Sequence, residues 1–171
     1  MEVLLTKEYI DLSIAKVAKA LDDNIILSEN PTCRPPIFIC VLNGAVVFFT
    51  DLIRQVQSDI ELDFIRAKSY VGKDNSGGVQ ILKDIESDIT DRDVFVIEDI
   101  IDSGETMKEI FIHLTQKSPR SIKVVTLLKR KGADHPHDFF GIEIGEEWVV
   151  GYGLDDNKLK RNLPDIYDLK E

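Results

Sequence analysis

The sequence is poor in the residues that build disulfide frameworks and zinc sites, with two cysteines and three histidines in 171 residues. Cys33 and Cys40 are too far apart for a CxxC redox motif, and no second pair accompanies them to complete a zinc site. Long apolar runs are also missing, and Ile37–Leu42 is far shorter than a membrane-spanning helix. We therefore expect neither a disulfide scaffold nor a membrane-spanning protein.

The sequence also has fewer basic than acidic residues. The chain has 21 Lys and Arg residues against 31 Asp and Glu residues, which gives a formal net charge of -10. Because such a chain repels polyanions, we expect no nucleic-acid partner and no membrane partner. The N-terminal segment lacks the basic start and apolar stretch of a signal peptide, so we also expect a cytoplasmic location.

The length predicts a single domain over residues 1–171, and the hydrophobic pattern indicates the α/β class. Ile37–Leu42 and residues 94–97 are apolar throughout, which is typical of parallel strands covered on both faces. Amphipathic helices are predicted over residues 7–22, after the Asn43-Gly44 turn, and around a stripe formed by Met107, Ile110, Phe111 and Leu114. Further strands are predicted at 60–70, 121–128, 139–144 and 148–151. This alternation indicates a mainly parallel twisted sheet flanked by helices.

The glycine-rich stretch 71–78 is the one flexible segment that the composition indicates. It contains three glycines among small and polar residues, which suits a mobile loop. An idle hairpin tip would have the same composition, so both interpretations stay open.

The segment 94–106 carries the strongest chemical signal. Its apolar strand runs into Glu98 and Asp99 and then Asp102. Carboxylates gathered at a strand end repel one another, but they suit a site that holds sugar hydroxyls and divalent cations. An acidic loop in which Asp102 or Ser103 caps the following helix would account for only one of these acids.

A phosphate cradle is predicted directly after these acids. Ser103, Gly104, Glu105 and Thr106 open a helix, where free backbone N–H groups and two hydroxyls meet the positive end of the helix dipole.

This segment resembles the signature by which type I phosphoribosyltransferases bind 5-phosphoribosyl 1-pyrophosphate. Leu42-Asn43-Gly44 resembles the pyrophosphate loop of the hypoxanthine/guanine branch, and residues 63–70 resemble its catalytic-loop entry. Residues 148–155 and Arg161 resemble its purine and metal segment. The resemblance implies the type I fold, with a small hood formed by the terminal segments, and a homodimer or homotetramer.

The resemblance also implies roles on the ribose-phosphate side of the site. Glu98 and Asp99 would accept hydrogen bonds from the ribose hydroxyls, and Asp102 would act as general acid or base beside purine N7. The 5-phosphate would rest on Asp102, Ser103, Gly104, Glu105 and Thr106. Glu105 departs from the neutral or basic residues common there, and we expect its side chain to point into solvent.

On the pyrophosphate side the implied ligands are Leu42, Asn43, Gly44 and Arg161, with a cis peptide in the loop. A surface arginine is the alternative for Arg161. Mg²⁺ is the implied cofactor, with Asp155 as its direct protein ligand and pyrophosphate oxygens and water as its other ligands. Glu98 and Asp99 are further candidates for the metal.

Several residues are implied to bind the base. Trp148 would stack on the purine, unless it is a core aromatic, and the Val149 backbone would read the base edge. A family lysine contacts purine O6, and here that contact could fall to Lys129, Arg130 or Lys131. The full set of candidates for purine binding is Ile100, Lys129, Arg130, Trp148, Val149 and Asp155.

The implied reaction transfers the 5-phosphoribosyl group from phosphoribosyl pyrophosphate to a 6-oxopurine, hypoxanthine and guanine above all. Ser69 and Tyr70 with the stretch 71–78 would close over the reacting centre as a lid. A xanthine preference remains an alternative, as does an RNA-binding regulator of nucleotide synthesis on the same fold, although the net charge disfavours RNA. A dinucleotide-binding protein is disfavoured because Gly151-Tyr152-Gly153 lacks the third glycine of that motif.

Overall fold

A computed structural model describes residues 1–28, 34–71, 77–102, 104–132 and 137–169 of the chain. Within these ranges the helices are α1 (Lys7–Leu27), α2 (Val46–Ile53) and α3 (Glu105–Thr115). The strands are β1 (Glu2–Leu5), β2 (Ile37–Leu42), β3 (Glu61–Val71), β4 (Gly77–Lys83), β5 (Asp93–Ile101), β6 (Ser121–Arg130), β7 (Phe139–Ile144), β8 (Val149–Val150) and β9 (Ile166–Asp168).

The central sheet has six strands in the order β4-β3-β2-β5-β6-β7. Only β4 runs antiparallel to its neighbour, and the other pairs are parallel. The predicted mainly parallel sheet is therefore confirmed. Parallel alignment brings the carboxyl ends of β2, β5 and β6 to one edge, where ligands bind in open α/β sheets.

The two faces of the central sheet are covered by different helices. Phe38 and Cys40 of β2 belong to the buried cluster that includes α1 and α2 residues, whereas Ile37 and Ile39 belong to the cluster on the α3 side. Successive strand residues point to opposite faces, so a strand buried on both sides must be apolar throughout. This is why β2 reads as a continuous apolar run.

A second, three-stranded sheet is built from the terminal segments in the order β1-β9-β8, all antiparallel. It confirms the small hood that the resemblance implied. Helix α1 follows β1 directly, with Thr6 as its N-cap accepting a hydrogen bond from the Tyr9 N–H at 3.4 Å. The helix continues to Leu27, beyond the predicted end at residue 22. None of the described helices is long and apolar enough to cross a membrane.

The predictions for β5 and for the buried stripe of α3 also need correction. Strand β5 does not end at Ile97 but continues to Ile101, because Glu98 and Ile100 stay in parallel register with Thr126 and Leu128 of β6. The acids Glu98 and Asp99 therefore project from a strand and not from a loop. On α3, Met107, Ile110 and Leu114 are buried as predicted, but the Phe111 side chain is 39% exposed because it lies off that stripe.

The predicted loop 71–78 is shorter than expected, because Val71 and Gly77 pair as the last rung of the antiparallel β3–β4 hairpin. Strand β4 itself was not predicted. Residues 72–76, which would form the tip of the predicted lid, lie outside the described residues, as do the side chains of Ser69 and Tyr70.

Candidate functional site

Three segments from distant parts of the chain meet at the carboxyl edge of the sheet. The Cα of Gly44, just after β2, lies so close to the Asp99 carboxylate that a β-carbon at residue 44 would overlap it. The carbonyl oxygen of Gly44 in turn occupies the space that a β-carbon of Gly153 would need, and Gly153 adopts a positive φ of 99°. Glycine is required at both positions for these close approaches.

The turn after β2 has the conformation that the resemblance implied. The Leu42–Asn43 peptide bond is cis. The Val46 N–H donates to the Asn43 carbonyl at 3.4 Å, and the Phe49 N–H donates to the Ala45 carbonyl at 2.7 Å, so α2 starts immediately after the turn. The backbone of Leu42, Asn43 and Gly44 is thereby fixed at the edge of the site.

Glu98 and Asp99 create a strongly negative local field. The Asp99 N–H donates to Glu98 Oε1 at 3.1 Å, and the Ile100 N–H donates to Asp99 Oδ1 at 2.9 Å. Burial and the neighbouring Asp99 carboxylate raise the pKa of Glu98 well above its usual value. Burial and the same two acids raise the pKa of the Cys40 thiol to about 12. Such a field favours hydroxyl donors or a cation as a ligand.

A cavity of about 160 Å³ opens between the end of β5 and the start of α3. Its lining residues are Glu98, Asp99, Ile100, Ile101, Asp102, Gly104, Thr106 and Met107. Gly104 is the N-cap of α3, with a left-handed φ of 71°, so the interpretation with Asp102 or Ser103 as cap is wrong. The Glu105 side chain is exposed, as expected, and Ser103 lies outside the described residues.

Asp102 is held by an arginine from the neighbouring strand. Arg130 Nε donates to Asp102 Oδ1 at 2.8 Å. Arg130 Nη1 donates to the carbonyl oxygens of Gly145 at 2.9 Å and Glu147 at 3.1 Å. The Asp102 side chain is 71% exposed and that of Arg130 only 22%, so the arginine is the fixed partner and the carboxylate remains accessible.

A second cavity, of about 240 Å³, adjoins the first. It is lined by Asp99, Ile100, Asp102, Arg130, Trp148, Val149, Leu154 and Asp155. The two cavities share Asp99, Ile100 and Asp102. The side chain of Trp148 is 66% exposed, so the alternative of a core aromatic is wrong.

Of the three basic candidates for purine O6, only Arg130 lines this cavity. Lys129 instead forms an ion pair with Glu143 at 3.6 Å and lies over the Phe140 ring at 5.1 Å, while Lys131 is exposed beyond the end of β6. The reason is the strand alternation, which directs neighbouring side chains of β6 to opposite sides. Lys129 is therefore separated from the site.

Asp155 and Arg161 form an ion pair at the rim, with Arg161 Nη2 at 2.6 Å from Asp155 Oδ1. The Lys158 N–H donates to the other Asp155 oxygen at 2.7 Å, and Arg161 Nη1 donates to the Gly153 carbonyl at 2.5 Å. Arg161 is thus a specifically held residue and not a free surface arginine.

The donor set fits a magnesium ion that retains substrate oxygens. The candidate ligands Asp155, Glu98 and Asp99 all offer carboxylate oxygens, the ligands that Mg²⁺ prefers. Among the described residues, no three His, Cys, Asp or Glu side chains group to hold a metal alone. Magnesium is commonly bound by one or two carboxylates together with substrate phosphates, which this arrangement could provide.

Sequence reasoning missed some residues that shape the site. Ile101, Met107 and Leu154 line the cavities, but none of them was predicted to do so. The apolar pattern of β5 could have indicated Ile101, which is the last residue of that strand. The buried Tyr152 lies in the segment 148–155 that the resemblance indicated, but no role was predicted for it. Its hydroxyl donates to Asp51 Oδ2 at 2.5 Å and so ties the 151–155 segment to α2.

Comparison with known proteins gives one family. The model of the phosphoribosyl transferase domain matches residues 5–157. The chain is 41% identical to a hypoxanthine-guanine-xanthine phosphoribosyltransferase of Tritrichomonas foetus, over 85% of this chain and 81% of that protein. It is 39% identical to a hypoxanthine-guanine phosphoribosyltransferase of Mycobacterium avium, over 94% of this chain and 81% of that protein.

Comparison with solved structures indicates the same family. The crystal structure of a hypoxanthine-guanine phosphoribosyltransferase from Bacillus anthracis superposes with a TM-score of 0.86 at 34% identity, covering 98% of this chain and 97% of that one. The chain belongs to the type I phosphoribosyltransferase family and, within it, to the group of the hypoxanthine-guanine phosphoribosyltransferases.

Proposed function

We propose that the protein transfers the 5-phosphoribosyl group of phosphoribosyl pyrophosphate to a 6-oxopurine, giving the purine 5-monophosphate and pyrophosphate. Hypoxanthine and guanine are the proposed bases. The observation that carries this proposal is the junction of the two cavities at Asp99, Ile100 and Asp102. A sugar phosphate in one cavity and a base in the other would meet there, as a transfer between them requires.

The first cavity suits the ribose 5-phosphate. Glu98 and Asp99 can accept hydrogen bonds from the two ribose hydroxyls, which relieves the repulsion between these acids. The 5-phosphate would bind at the start of α3, where the backbone N–H groups of Gly104, Glu105 and Thr106 and the helix dipole favour an anion, with Asp102 and Ser103 as the remaining proposed contacts. The exposed Glu105 side chain would not oppose the phosphate.

The pyrophosphate would bind at the turn after β2, through the backbone of Leu42, Asn43 and Gly44, with Arg161 as its cationic partner. Asp155 would be the direct protein ligand of magnesium, and Glu98 and Asp99 would add nearby negative charge. Bound magnesium would supply the positive charge that stabilises the departing pyrophosphate.

The second cavity suits a purine ring. Trp148 offers an exposed aromatic face for stacking, and Val149 offers backbone groups to the base edge. Arg130 keeps its Nη2 group without a hydrogen bond to any described residue, and this group would donate to purine O6. Because a guanidinium only donates, it favours a carbonyl oxygen at C6 over an amino group.

The chemical step exchanges one bond at C1 of the ribose for another. The lone pair of purine N9 forms the new bond to C1 while the C1–O bond breaks and its electrons leave with pyrophosphate. Asp102 accepts the N7 proton of the base as N9 is alkylated. The side chains of Ser69 and Tyr70, with the 72–76 segment, are proposed to exclude water during this step.

The proposal is tested with purified protein, magnesium, phosphoribosyl pyrophosphate and either hypoxanthine or guanine. Formation of the purine 5-monophosphate together with an equal amount of pyrophosphate supports it. Asp102→Asn should lower kcat by about 10²–10⁴-fold with little change in the KM for phosphoribosyl pyrophosphate. An absence of nucleotide from both bases would overturn the proposal, and an unchanged kcat in the variant would remove Asp102 from proton transfer.

A homodimer or homotetramer remains a prediction of the family resemblance, and a single domain and a cytoplasmic location remain predictions from the chain length and the N-terminal segment. Analytical ultracentrifugation of the purified chain tests the oligomeric state.

A further inference from the structure

Arg130 connects two separate parts of the site through one guanidinium group. Its Nε–H bonds to Asp102, which follows β5, and its Nη1 group bonds to two carbonyls of the turn between β7 and β8. These carbonyls belong to Gly145 and Glu147. The planar, rigid fork of the guanidinium fixes the relative positions of all its acceptors.

The turn held in this way carries the proposed stacking platform for the base. Trp148 directly follows Glu147, whose carbonyl accepts from Arg130 at 3.1 Å. With its side chain 66% exposed, Trp148 gains little positional restraint from core packing. Its own carbonyl accepts a hydrogen bond from the Leu169 N–H at 2.7 Å, which anchors the other side of the residue. On the β7 side, the Lys131 N–H holds the Ile144 carbonyl at 2.8 Å, and between Gly145 and Glu147 the side-chain restraint comes from Arg130.

We propose that Arg130 is a positioning residue that fixes the position of Asp102 relative to Trp148. The inference rests on the proposed function, in which these two residues act on the N7 proton and on the ring face of the same base. The Arg130 side chain would thus determine the distance and orientation of the Asp102 carboxylate relative to the Trp148 ring. It could do so in addition to its own contact with purine O6.

Lysine could not fill this positioning role, although the family resemblance implies a lysine at purine O6. An ammonium group directs three N–H bonds from a single nitrogen and cannot span Asp102 and two carbonyls on the other side. Arg130→Lys therefore keeps the charge but should release the turn, whereas Arg130→Met removes both the charge and the hydrogen bonds.

The chain offers a direct readout because Trp148 is its only tryptophan. Fluorescence anisotropy and acrylamide quenching of the unliganded protein then report on the turn alone. We expect lower anisotropy and about twofold stronger quenching in Arg130→Lys and Arg130→Met, because residue 148 loses its restraint. The control is Lys19→Met, which removes a cation from the exposed Lys19–Asp23 pair on α1. Equal fluorescence in wild type and both Arg130 variants would overturn the positioning role.

Kinetics provide a second readout that a merely structural role would not produce. In Arg130→Lys the KM for the base should rise by about tenfold while the KM for phosphoribosyl pyrophosphate stays within twofold. In Arg130→Met we expect kcat to fall in addition to the rise in the KM for the base. A parallel rise of both KM values would contradict the inference, since it would indicate general damage to the site. If the wild-type chain formed no nucleotide, the proposed function would fail, but the fluorescence comparison would still decide whether Arg130 holds the turn.

Discussion

Gly44 and Asp99 are in such close contact that the Asp99 carboxylate fills the space where a side chain at residue 44 would begin. Gly44 follows β2 whereas Asp99 lies within β5, and their contact brings the proposed pyrophosphate loop against the proposed ribose-binding acids. The Gly44 carbonyl lies against Gly153 in the same way. The site thus depends on backbone segments that pack without intervening side chains.

Gly44→Ala should therefore impair catalysis. The added methyl group would displace the Asp99 carboxylate or the loop, and overpacking of this kind costs about 1–3 kcal/mol. We expect kcat/KM for phosphoribosyl pyrophosphate to fall by at least about tenfold, measured by steady-state kinetics. The control is Gly132→Asn, because Gly132 has a positive φ of 80° and no atom within 4 Å of a β-carbon. A Gly44→Ala enzyme within twofold of wild type would show that the close contact is unimportant.

Glu98→Gln should stabilise the fold and impair function. Glu98 loses hydration on burial and faces the negative charge of Asp99, so removal of its charge relieves both costs. The free energy of unfolding in urea, measured without magnesium, should rise by on the order of 1 kcal/mol. Activity should fall because a ribose acceptor is lost. Glu109→Gln, an exposed acid on α3, serves as control. A less stable Glu98→Gln protein would contradict the electrostatic account.

Arg92→Met should destabilise the fold without touching the site. Arg92 is completely buried, forms an ion pair with Glu61 at 2.7 Å and donates to the Pro35 carbonyl at 2.6 Å. Its loss removes the donor to the Pro35 carbonyl and the ion pair of the half-exposed Glu61, and we expect urea unfolding to show a loss of about 2–4 kcal/mol. The exposed Arg54 provides the matched control in Arg54→Met. Equal stability of the two variants would mean that the buried contacts of Arg92 are replaced by water.

The lowered pKa of Asp63 should make the free energy of unfolding depend on pH. Burial opposes its ionisation, but N–H groups of Phe64, Ser87 and Glu86 donate to the carboxylate at 2.7–2.9 Å and hold its pKa below the ordinary 3.8. A lowered pKa stabilises the folded state above the unfolded pKa, and this contribution disappears as the pH falls through the folded pKa.

Asp63→Asn should accordingly be less stable than wild type at pH 7, and the difference should shrink below about pH 4. Thermal unfolding followed by circular dichroism between pH 3 and pH 7 measures this, with the exposed Asp59→Asn as control. A stability difference that does not vary with pH would assign the effect to lost packing and not to charge.

The sequence predicts this fold wherever local pattern and burial agree. The run Ile37–Leu42 is apolar because both its faces are covered, and the structure has this strand at the same bounds. The end of β5 was not predicted, because acids such as Glu98 and Asp99 are unfavourable in strands, whereas the structure pairs Glu98 with Thr126 of β6. Strand β4 was not predicted, because it begins within the glycine-rich stretch 71–78 that indicated a loop, and its partner β3 lies on the other side of that stretch.

The site was predictable where its residues are close in sequence. Glu98, Asp99 and Asp102 lie in one segment, so their cluster is visible before any fold is known. The choice of Arg130 over Lys129 depends on which way each side chain leaves β6, and adjacent basic residues do not reveal this. The contact of Gly44 with Asp99 is likewise a product of tertiary structure, since β2 and β5 are neighbours only in the sheet.

A competition between bases tests the central claim most directly. The protein, with magnesium and a limiting amount of phosphoribosyl pyrophosphate, is given equal amounts of hypoxanthine, guanine, xanthine and adenine, and the nucleotides formed are separated and quantified. We predict the monophosphates of hypoxanthine and guanine as the main products and none from adenine, because Arg130 can donate to an oxygen at C6 but cannot accept from an amino group. Adenosine monophosphate as the main product, or no nucleotide at all, would contradict the account.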